Sequence, residues 1–442
     1  MKFDEYFKLN EITINVSNGC NLACKYCFEN NKSKQFMTQE QIKHILDKCY
    51  SNFTKNNPKN SKMLVSIFGG EPFLAWDTIE YALKYSREQK YNIEFGVTTN
   101  LTILTDHMID IIEDYELGLL VSIDGLKEIH DKNRCNSYDL VTSNLKRLVE
   151  RGLKYLIEVR MTVMPFGSDR LLESIQSIVD MGVVNIAPVP VSDTKWTQKD
   201  YDKLSKSINE VWDWLFEIYN DNENKKNISI KFVEDYLEQV LVMPNEEQTK
   251  VCLAGSNTNC SIGVNGDIMP CHQRHTVKNN YDKLVMGNIF NDDEIRDIDF
   301  NKSQTESDFD CKECSAYSVC RGGCPSENLS VNGHSNKMNK TQCQLTKIMV
   351  DVAIKNQFKL LNAKNIRSHR LNVLYQNLYI LNFLIDEVLS YPIDSEKYNM
   401  SLIEFYEKLI DMESILLPSF RTTLDNIIKQ LVNINKEIFN KV

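Results

Sequence analysis

From about residue 10 to residue 195, short apolar runs alternate with amphipathic stretches. Six runs read as strands: EITINVS (11–17), KMLVSIFGG (62–70), IEFGVTTN (93–100), GLLVSIDG (118–125), IEVRMTVMP (157–165) and VVNIAPVPV (183–191). Each is short, rich in β-branched residues and bounded by turn formers. Between them, TQEQIKHILDKCY, WDTIEYALKYSREQ and SDRLLESIQSIVDMG carry the 3.6-residue apolar period of helices. Repeated strand–helix units predict a parallel sheet with right-handed crossovers. Six units are enough to curl into a partial (β/α)6 barrel of the TIM type, with its chemistry at the C-terminal ends of the strands.

The pattern then changes twice. A helical stretch, DYDKLSKSINEVWDWLFEIYND, is followed by the polar break DNENKKN. From Cys252 onward cysteines, glycines and short turns replace periodicity, and such a region needs something other than an apolar core to hold it together. In the last third, Leu371, Leu374, Leu378, Leu381, Ile385 and Val388 recur at steps of three and four. Leu402, Phe405, Leu409 and Met412 repeat that spacing, as do Leu424, Ile427, Leu431, Ile434 and Ile438, with Pro392 and Pro418 as punctuation. These predict three amphipathic helices that form a small bundle or pack on the barrel. The expected division is a barrel over 1–235, a loop-rich cysteine domain over 236–350 and a helical region over 351–442.

At 442 residues the chain has room for two or three domains, and 42% apolar with 25% charged residues is a globular composition. A net charge of −10 argues against nucleic acid or an anionic membrane as partner. The N-terminus lacks the charged start and apolar run of a signal peptide, and no apolar stretch approaches the ~18 residues that span a bilayer. A cytoplasmic location is expected, and it gives the thirteen cysteines their meaning. In a reducing compartment clustered thiols are metal ligands or catalysts more often than disulfides. Cys49 and Cys135 stand alone and read as small buried hydrophobes. The other eleven fall in two groups.

The first group is Cys20, Cys24 and Cys27, spaced C-x3-C-x2-C directly after the first strand. Structural iron–sulfur and zinc sites usually close their shell with four ligands, so three imply an open position. By spacing alone, a zinc site with a distant fourth ligand stays open as well. With Tyr26 before the last cysteine, the motif resembles the signature of radical S-adenosylmethionine (SAM) enzymes. That resemblance implies a 4Fe–4S cluster whose open iron is chelated by SAM. One electron then cleaves the sulfonium, and the 5′-deoxyadenosyl radical released abstracts hydrogen from the substrate. It also implies roles along the strand ends. Tyr26 packs near the adenine. Gly69 and Gly70 let backbone approach SAM, and Glu71 receives its ammonium group. Asn100 ends the third strand, Ser122 and Asp124 meet ribose hydroxyls, and Arg160 clamps the SAM carboxylate.

The second group is Cys252, Cys260, Cys271, Cys311, Cys314, Cys320, Cys324 and Cys343. Its core, CKECSAYSVCRGGC, reads C-x2-C-x5-C-x3-C and, with GDIMPC and GNI before it, resembles the SPASM domain of peptide- and protein-modifying radical SAM enzymes. The resemblance implies two fully ligated auxiliary 4Fe–4S clusters, three clusters in all. Cys252, Cys260, Cys271 and Cys324 would hold one, and Cys311, Cys314, Cys320 and Cys343 the other. Zinc also suits C-x2-C pairs, and a non-catalytic zinc scaffold is the alternative of another class.

Two branches of the family are near. One oxidises a sulfatase cysteine or serine to formylglycine; the other matures ribosomally made peptides by thioether (sactionine) or other crosslinks. In the first, an aspartate follows the PC cysteine as proposed base; here that place holds His272, the candidate catalytic residue. Arg274 and His275 are candidates to contact an acidic or carboxyl-bearing substrate. About ten residues precede the first strand, which leaves no room for a leader-gripping module. Recognition is therefore expected to fall to a separate leader-binding protein, the barrel mouth or the C-terminal helices. The reading is a radical SAM maturase of a peptide or protein substrate, fed by an electron donor such as flavodoxin or ferredoxin. Sulfatase-type maturation is its alternative.

Overall fold

All six predicted runs are strands, trimmed at their ends: β1 Glu11–Ser17, β2 Met63–Gly69, β3 Ile93–Thr99, β4 Gly118–Ser122, β5 Ile157–Val163 and β6 Asn185–Pro190. In the computed structural model the described residues are 1–361 without 30–31, 222–226, 242–251, 276–280, 292–293, 299, 301–310, 312–313, 315 and 336. The three helices predicted between 371 and 438 lie outside the described residues. β1 to β6 pair in chain order, all parallel. Helices Gln39–Asn56, Trp76–Glu88, Asp106–Tyr115, Tyr138–Glu150 and Leu171–Asp180 make the crossovers. The first begins where Thr38 accepts from the Gln41 backbone while the Gln41 side chain accepts from the Thr38 backbone, a capping box.

The sheet does not stop at six strands. β7 (Ser229–Ile230) joins β6 in parallel. At the other edge β8 (Asn259–Ile262) pairs in parallel with β1, and β9 (Asp267–Met269) and β10 (Gly287–Asn288) follow antiparallel. The cysteine-rich segment thus continues the barrel sheet, a join that strands of two to four residues are too short to announce in the sequence. The predicted boundaries at 235/236 and 350/351 fall inside helices Lys231–Leu241 and Lys340–Leu361. The latter packs along Gln198–Asn220 and Lys231–Leu241. No described helix is long and apolar enough to cross a membrane.

The core lies between sheet and helices. β2 alternates buried and exposed positions, sending Met63, Val65 and Ile67 inward against Ile42, Ile45, Leu46 and Phe53 of the first crossover helix. Cys49 is buried there as expected. Cys135 is not: it is exposed, at φ +58 in the turn after helix Lys127–Asn133. A turn that leaves the surface has no core for a thiol to enter.

Asn52 pins the chain's entry into β1. Fully buried, it accepts from Leu9 N (3.1 Å) and donates to the Phe7 carbonyl (2.9 Å) and Asp4 Oδ1 (3.2 Å). Asn52→Ala strands buried backbone groups, so a loss of about 2–4 kcal/mol is expected. Anaerobic thermal unfolding should show it as a lowered Tm, and an unchanged Tm would contradict the assignment.

Candidate functional site

The C-terminal strand ends surround a cavity of about 500 Å³. Cys20, Cys24, Tyr26, Cys27, Gly69, Gly70, Glu71, Asn100, Ser122, Arg160 and His272 all line it. The loop after β1 is carried there by its contact with the end of β2. Gly70 N donates to Ser17 O and Glu71 N to Gly19 O, both at 2.7 Å. A Cβ at Gly69 (φ +140) would stand 2.3 Å from Ser17 O, and one at Gly70 2.3 Å from Gly19 O and 3.2 Å from the Cys20 Cβ. Only glycine permits this approach.

The three thiols of the loop influence one another's charge. Burial pushes Cys20 up and Cys24 up to about 11, and in each case a neighbouring cysteine of the triplet adds to the rise. A metal binds these groups as thiolates, so loading the site would release their protons. The Cys20 sulfur also accepts from Leu22 N at 3.4 Å. Among the described residues no three His, Cys, Asp or Glu side chains are arranged to hold a single metal ion. A cluster takes one thiolate per iron, so its ligands need not converge on one point.

Glu71, expected to receive the SAM ammonium group, lines the cavity and is held by three donors of the protein itself. It is 1% exposed and accepts from Phe73 N (3.0 Å), Thr99 Oγ1 (2.6 Å) and Asn100 N (2.7 Å). Its carboxylate therefore ties the end of β2 to the end of β3. Asn100 extends the link, donating to Asn21 Oδ1 in the cysteine loop at 3.0 Å. Ser122 sits on the cavity wall in register with Arg160 of β5. Arg160 shares the half-buried side of β5 with Glu158 and Thr162, and lines the cavity with Thr162. Burial lowers its pKa, against the pull of Glu158 and Glu327.

Asp124, expected to meet a ribose hydroxyl, is not among the residues lining the cavity, and its side chain has no exposed surface. It pairs with Arg134 (Nε–Oδ1 3.0 Å) and accepts from Tyr26 OH (2.7 Å), Thr162 N (3.0 Å) and Asn133 Nδ2 (3.3 Å). The Arg134 guanidinium lies 5.1 Å from the centre of the Tyr26 ring. Asp124 thus fixes Tyr26 beside the thiols. Arg134 sits in an irregular turn with no motif, so the sequence carried no signal for it.

His272 opens a 3₁₀ turn, its ring 4.5 Å from that of Phe68 and 6.2 Å from that of Phe28. Burial, then Arg160, pushes its pKa down to about 4. Arg274 and His275 do not reach the cavity, against expectation. Arg274 is buried and holds Ser326 Oγ (2.7 Å) and Ser330 Oγ (2.8 Å) of helix Pro325–Asn332, while His275 Nε2 meets Ser261 Oγ at 2.9 Å. That helix instead brings Glu327 to the cavity, hydrogen-bonded to Ser192 beside Asp193. Burial raises both carboxyl pKa values. Neither acid stood in a recognisable pattern.

The later cysteines fall into two neighbourhoods: Cys252 raises Cys271, and both raise Cys324, whereas Cys311 and Cys343 raise Cys320, and Cys314 and Cys311 raise Cys343. Cys260 is buried on β8 beside Cys49.

Residues 14–178 match the radical SAM superfamily, and residues 252–325 match SPASM, an iron–sulfur cluster-binding domain. The chain is 25% identical over 340 residues to the cysteine-type anaerobic sulfatase-maturating enzyme of Clostridium perfringens (strain 13 / Type A), covering 70% of this chain and 86% of that one. It is also 25% identical over 348 residues to the serine-type enzyme of Bacteroides thetaiotaomicron, covering 70% and 81%. Among solved structures, anSMEcpe with bound AdoMet and Cp18Cys peptide aligns with a TM-score of 0.63 at 20% identity, over 80% of this chain and 99% of that one. Streptococcus suis SuiB bound to its precursor peptide SuiA aligns with a TM-score of 0.54 at 17% identity, over 77% of each chain. At these identities the structures speak to the fold, which is that of the radical SAM barrel.

Asp124→Asn would leave Arg134 as a buried charge without its counter-ion, a change that costs about 3–5 kcal/mol where such pairs have been broken. The expected outcome is a marked fall in Tm. Asp124→Glu, which keeps the charge, should recover part of it; equal stability of the Asn variant and the wild type would refute the role.

Proposed function

The chain is a radical SAM enzyme with a SPASM domain, and on that premise we propose that it matures a ribosomally synthesised peptide. It would take hydrogen from one residue of the peptide to form a thioether or another crosslink. The observation that carries the reading is His272. Where the sulfatase-maturing branch places an aspartate, this chain holds an imidazole against Phe28 and Phe68.

The residues divide the work as follows. Cys20, Cys24 and Cys27 hold the first 4Fe–4S cluster, and the eight later cysteines are the candidate ligands of two more. When bound, that first cluster and SAM supply the 5′-deoxyadenosyl radical. Gly69 and Gly70 offer backbone to the ammonium group, while Glu71 holds their turn in place. Arg160 receives the SAM carboxylate, Ser122 a ribose hydroxyl, and Tyr26, locked by Asp124, packs on the adenine. Glu327 and Asp193 give the cavity wall two carboxyls that substrate side chains would meet. A reduced flavodoxin or ferredoxin would supply the electron. Leader recognition would belong to a separate protein, the barrel mouth or the C-terminal helices.

Sulfatase maturation is the second reading, favoured by the 86% of the Clostridium perfringens enzyme that the similarity covers. The two are separated by mass. Reconstituted anaerobically and reduced, the protein should convert SAM to 5′-deoxyadenosine, and replacement of Cys20, Cys24 and Cys27 by alanine should abolish this. A co-expressed cysteine-bearing peptide should lose hydrogens without gaining an aldehyde; an aldehyde on a sulfatase-derived peptide would favour the second reading. No 5′-deoxyadenosine from fully cluster-loaded protein would defeat both.

Arg160→Ala should weaken SAM binding roughly 10- to 100-fold, the worth of a hydrogen bond to a charged group. Equilibrium dialysis against the reconstituted protein measures it, and unchanged affinity would move the carboxylate clamp elsewhere.

A further inference from the structure

The loop that carries Cys20, Cys24 and Cys27 has an inner and an outer surface. The inner one meets the cavity, where Tyr26 turns onto Asp124. Lys25, between Cys24 and Tyr26, is exposed, and its backbone N donates to Asn133 O at 3.0 Å. Cys27 N bonds back to Cys24 O at 3.2 Å, so Lys25 stands at the corner of a turn with a candidate ligand at each end. Lys34 is exposed where the chain returns to the end of β1, between the bonds Ser33 N to Asn18 O and Asn18 N to Gln35 O. Lys132 is exposed next to the Asn133 carbonyl that receives the Lys25 backbone.

Acids do not offset these lysines. Glu29, the one acid between residues 18 and 38, is 4% exposed. On the neighbouring helix Lys127–Asn133, Asp131 is already paired with Lys127 at 3.0 Å and Glu128 with Arg170. Two aromatic rings flank the lysines. Phe36 is 40% exposed and Phe166 47%, with Lys132 Nζ 3.1 Å from the centre of the Phe166 ring. Exposed aromatic rings are a mark of recognition surfaces.

The chain as a whole carries 61 acids against 51 bases. An acidic partner is therefore repelled by most of its surface and admitted where the local charge is positive. An electron carrier must also come close to the cluster, because tunnelling falls steeply with distance. Both conditions meet on the outside of the cysteine loop. Encounters between redox proteins are small, below about 1,200 Å² of buried surface, so one loop and the adjoining turn suffice. The rings favour a carrier whose redox group is itself a flat aromatic system at the protein surface, as a flavin is.

We propose that the outer surface of the cysteine loop, marked by Lys25, Lys34 and Lys132 between the Phe36 and Phe166 rings, is the docking site of an acidic flavodoxin-type electron carrier. One electron passes from the reduced flavin to the oxidised cluster held by Cys20, Cys24 and Cys27; the carrier leaves oxidised by one electron, and no atom is transferred. The inference rests on the radical chemistry of the proposed function.

The test uses full-length protein, reconstituted anaerobically, with a bacterial flavodoxin as probe and the triple variant Lys25→Glu, Lys34→Glu, Lys132→Glu. In calorimetric titration with oxidised flavodoxin the wild type should bind less tightly as salt is added, and the variant should bind about 10-fold or more weakly at low salt. Formation of 5′-deoxyadenosine driven by reduced flavodoxin should fall by a similar factor. The rate driven by dithionite, a small reductant that needs no docking surface, should not change. Reversal of Lys146 and Lys206, 74% and 81% exposed on helices Tyr138–Glu150 and Gln198–Asn220, should alter neither binding nor rate. Unchanged affinity in the triple variant, an equal loss in the control pair, a parallel loss of the dithionite rate, or activity with reduced ferredoxin but not with flavodoxin would each overturn the inference. No 5′-deoxyadenosine from the wild type with dithionite would instead overturn the radical chemistry beneath it, and the inference with it.

Discussion

The active face depends on one close approach, that of the β2 end to the loop leaving β1. Gly69 and Gly70 bring backbone against backbone, with hydrogen bonds of 2.7 Å from Gly70 N to Ser17 O and from Glu71 N to Gly19 O and no space for a Cβ at either glycine. The cysteine loop is thereby set across the strand ends rather than beside them. Glu71 passes the constraint to β3 through Thr99 and Asn100, and Asn100 returns it to the loop through Asn21. A buried carboxylate with three donors is expensive to disturb, because every donor left behind is itself buried. The loop is thus held from two sides.

A second buried carboxylate does the same on the far side of the cavity. Asp124 holds Arg134, Tyr26 and the β5 backbone together without reaching the cavity itself. Paired in this way, Arg134 is a charge the interior tolerates, and its guanidinium lies against the Tyr26 ring. The cysteine-rich segment closes the third side. By adding β8 to the free edge of β1 it removes an open sheet edge and delivers the His272 turn and Glu327 to the cavity. Barrel and cysteine domain are consequently one continuous sheet.

Much of this was legible before any coordinate. The apolar runs marked β1 to β6, because short stretches of β-branched residues bounded by turn formers read as strands. The triplet spacing marked the loop, and GGE, TTN and SID marked the strand ends. What such motifs do not state is which way a side chain turns. Ser122 and Asp124 are two residues apart in one motif, yet Ser122 lines the cavity and Asp124 is enclosed by four partners. Arg274 and His275 read as substrate contacts because they follow the PC cysteine, and both turned out to be buried polar residues of the cysteine domain. Arg134, Glu327 and Asp193 were invisible, since a lone charged residue in a turn has no period and no spacing.

The order of strands and helices, the position of the thiols and the class of chemistry are properties of the string itself. They rest on local periodicity and on spacings of a few residues, which survive without knowledge of what packs where. The direction of each functional side chain and the pairing of distant charges belong to the tertiary structure alone. Those depend on which face of a strand meets which neighbour, and the neighbour is often hundreds of residues away. Cys260 shows the difference: the spacing counts it with its fellow cysteines, and the pairing of β8 with β1 turns it into the core.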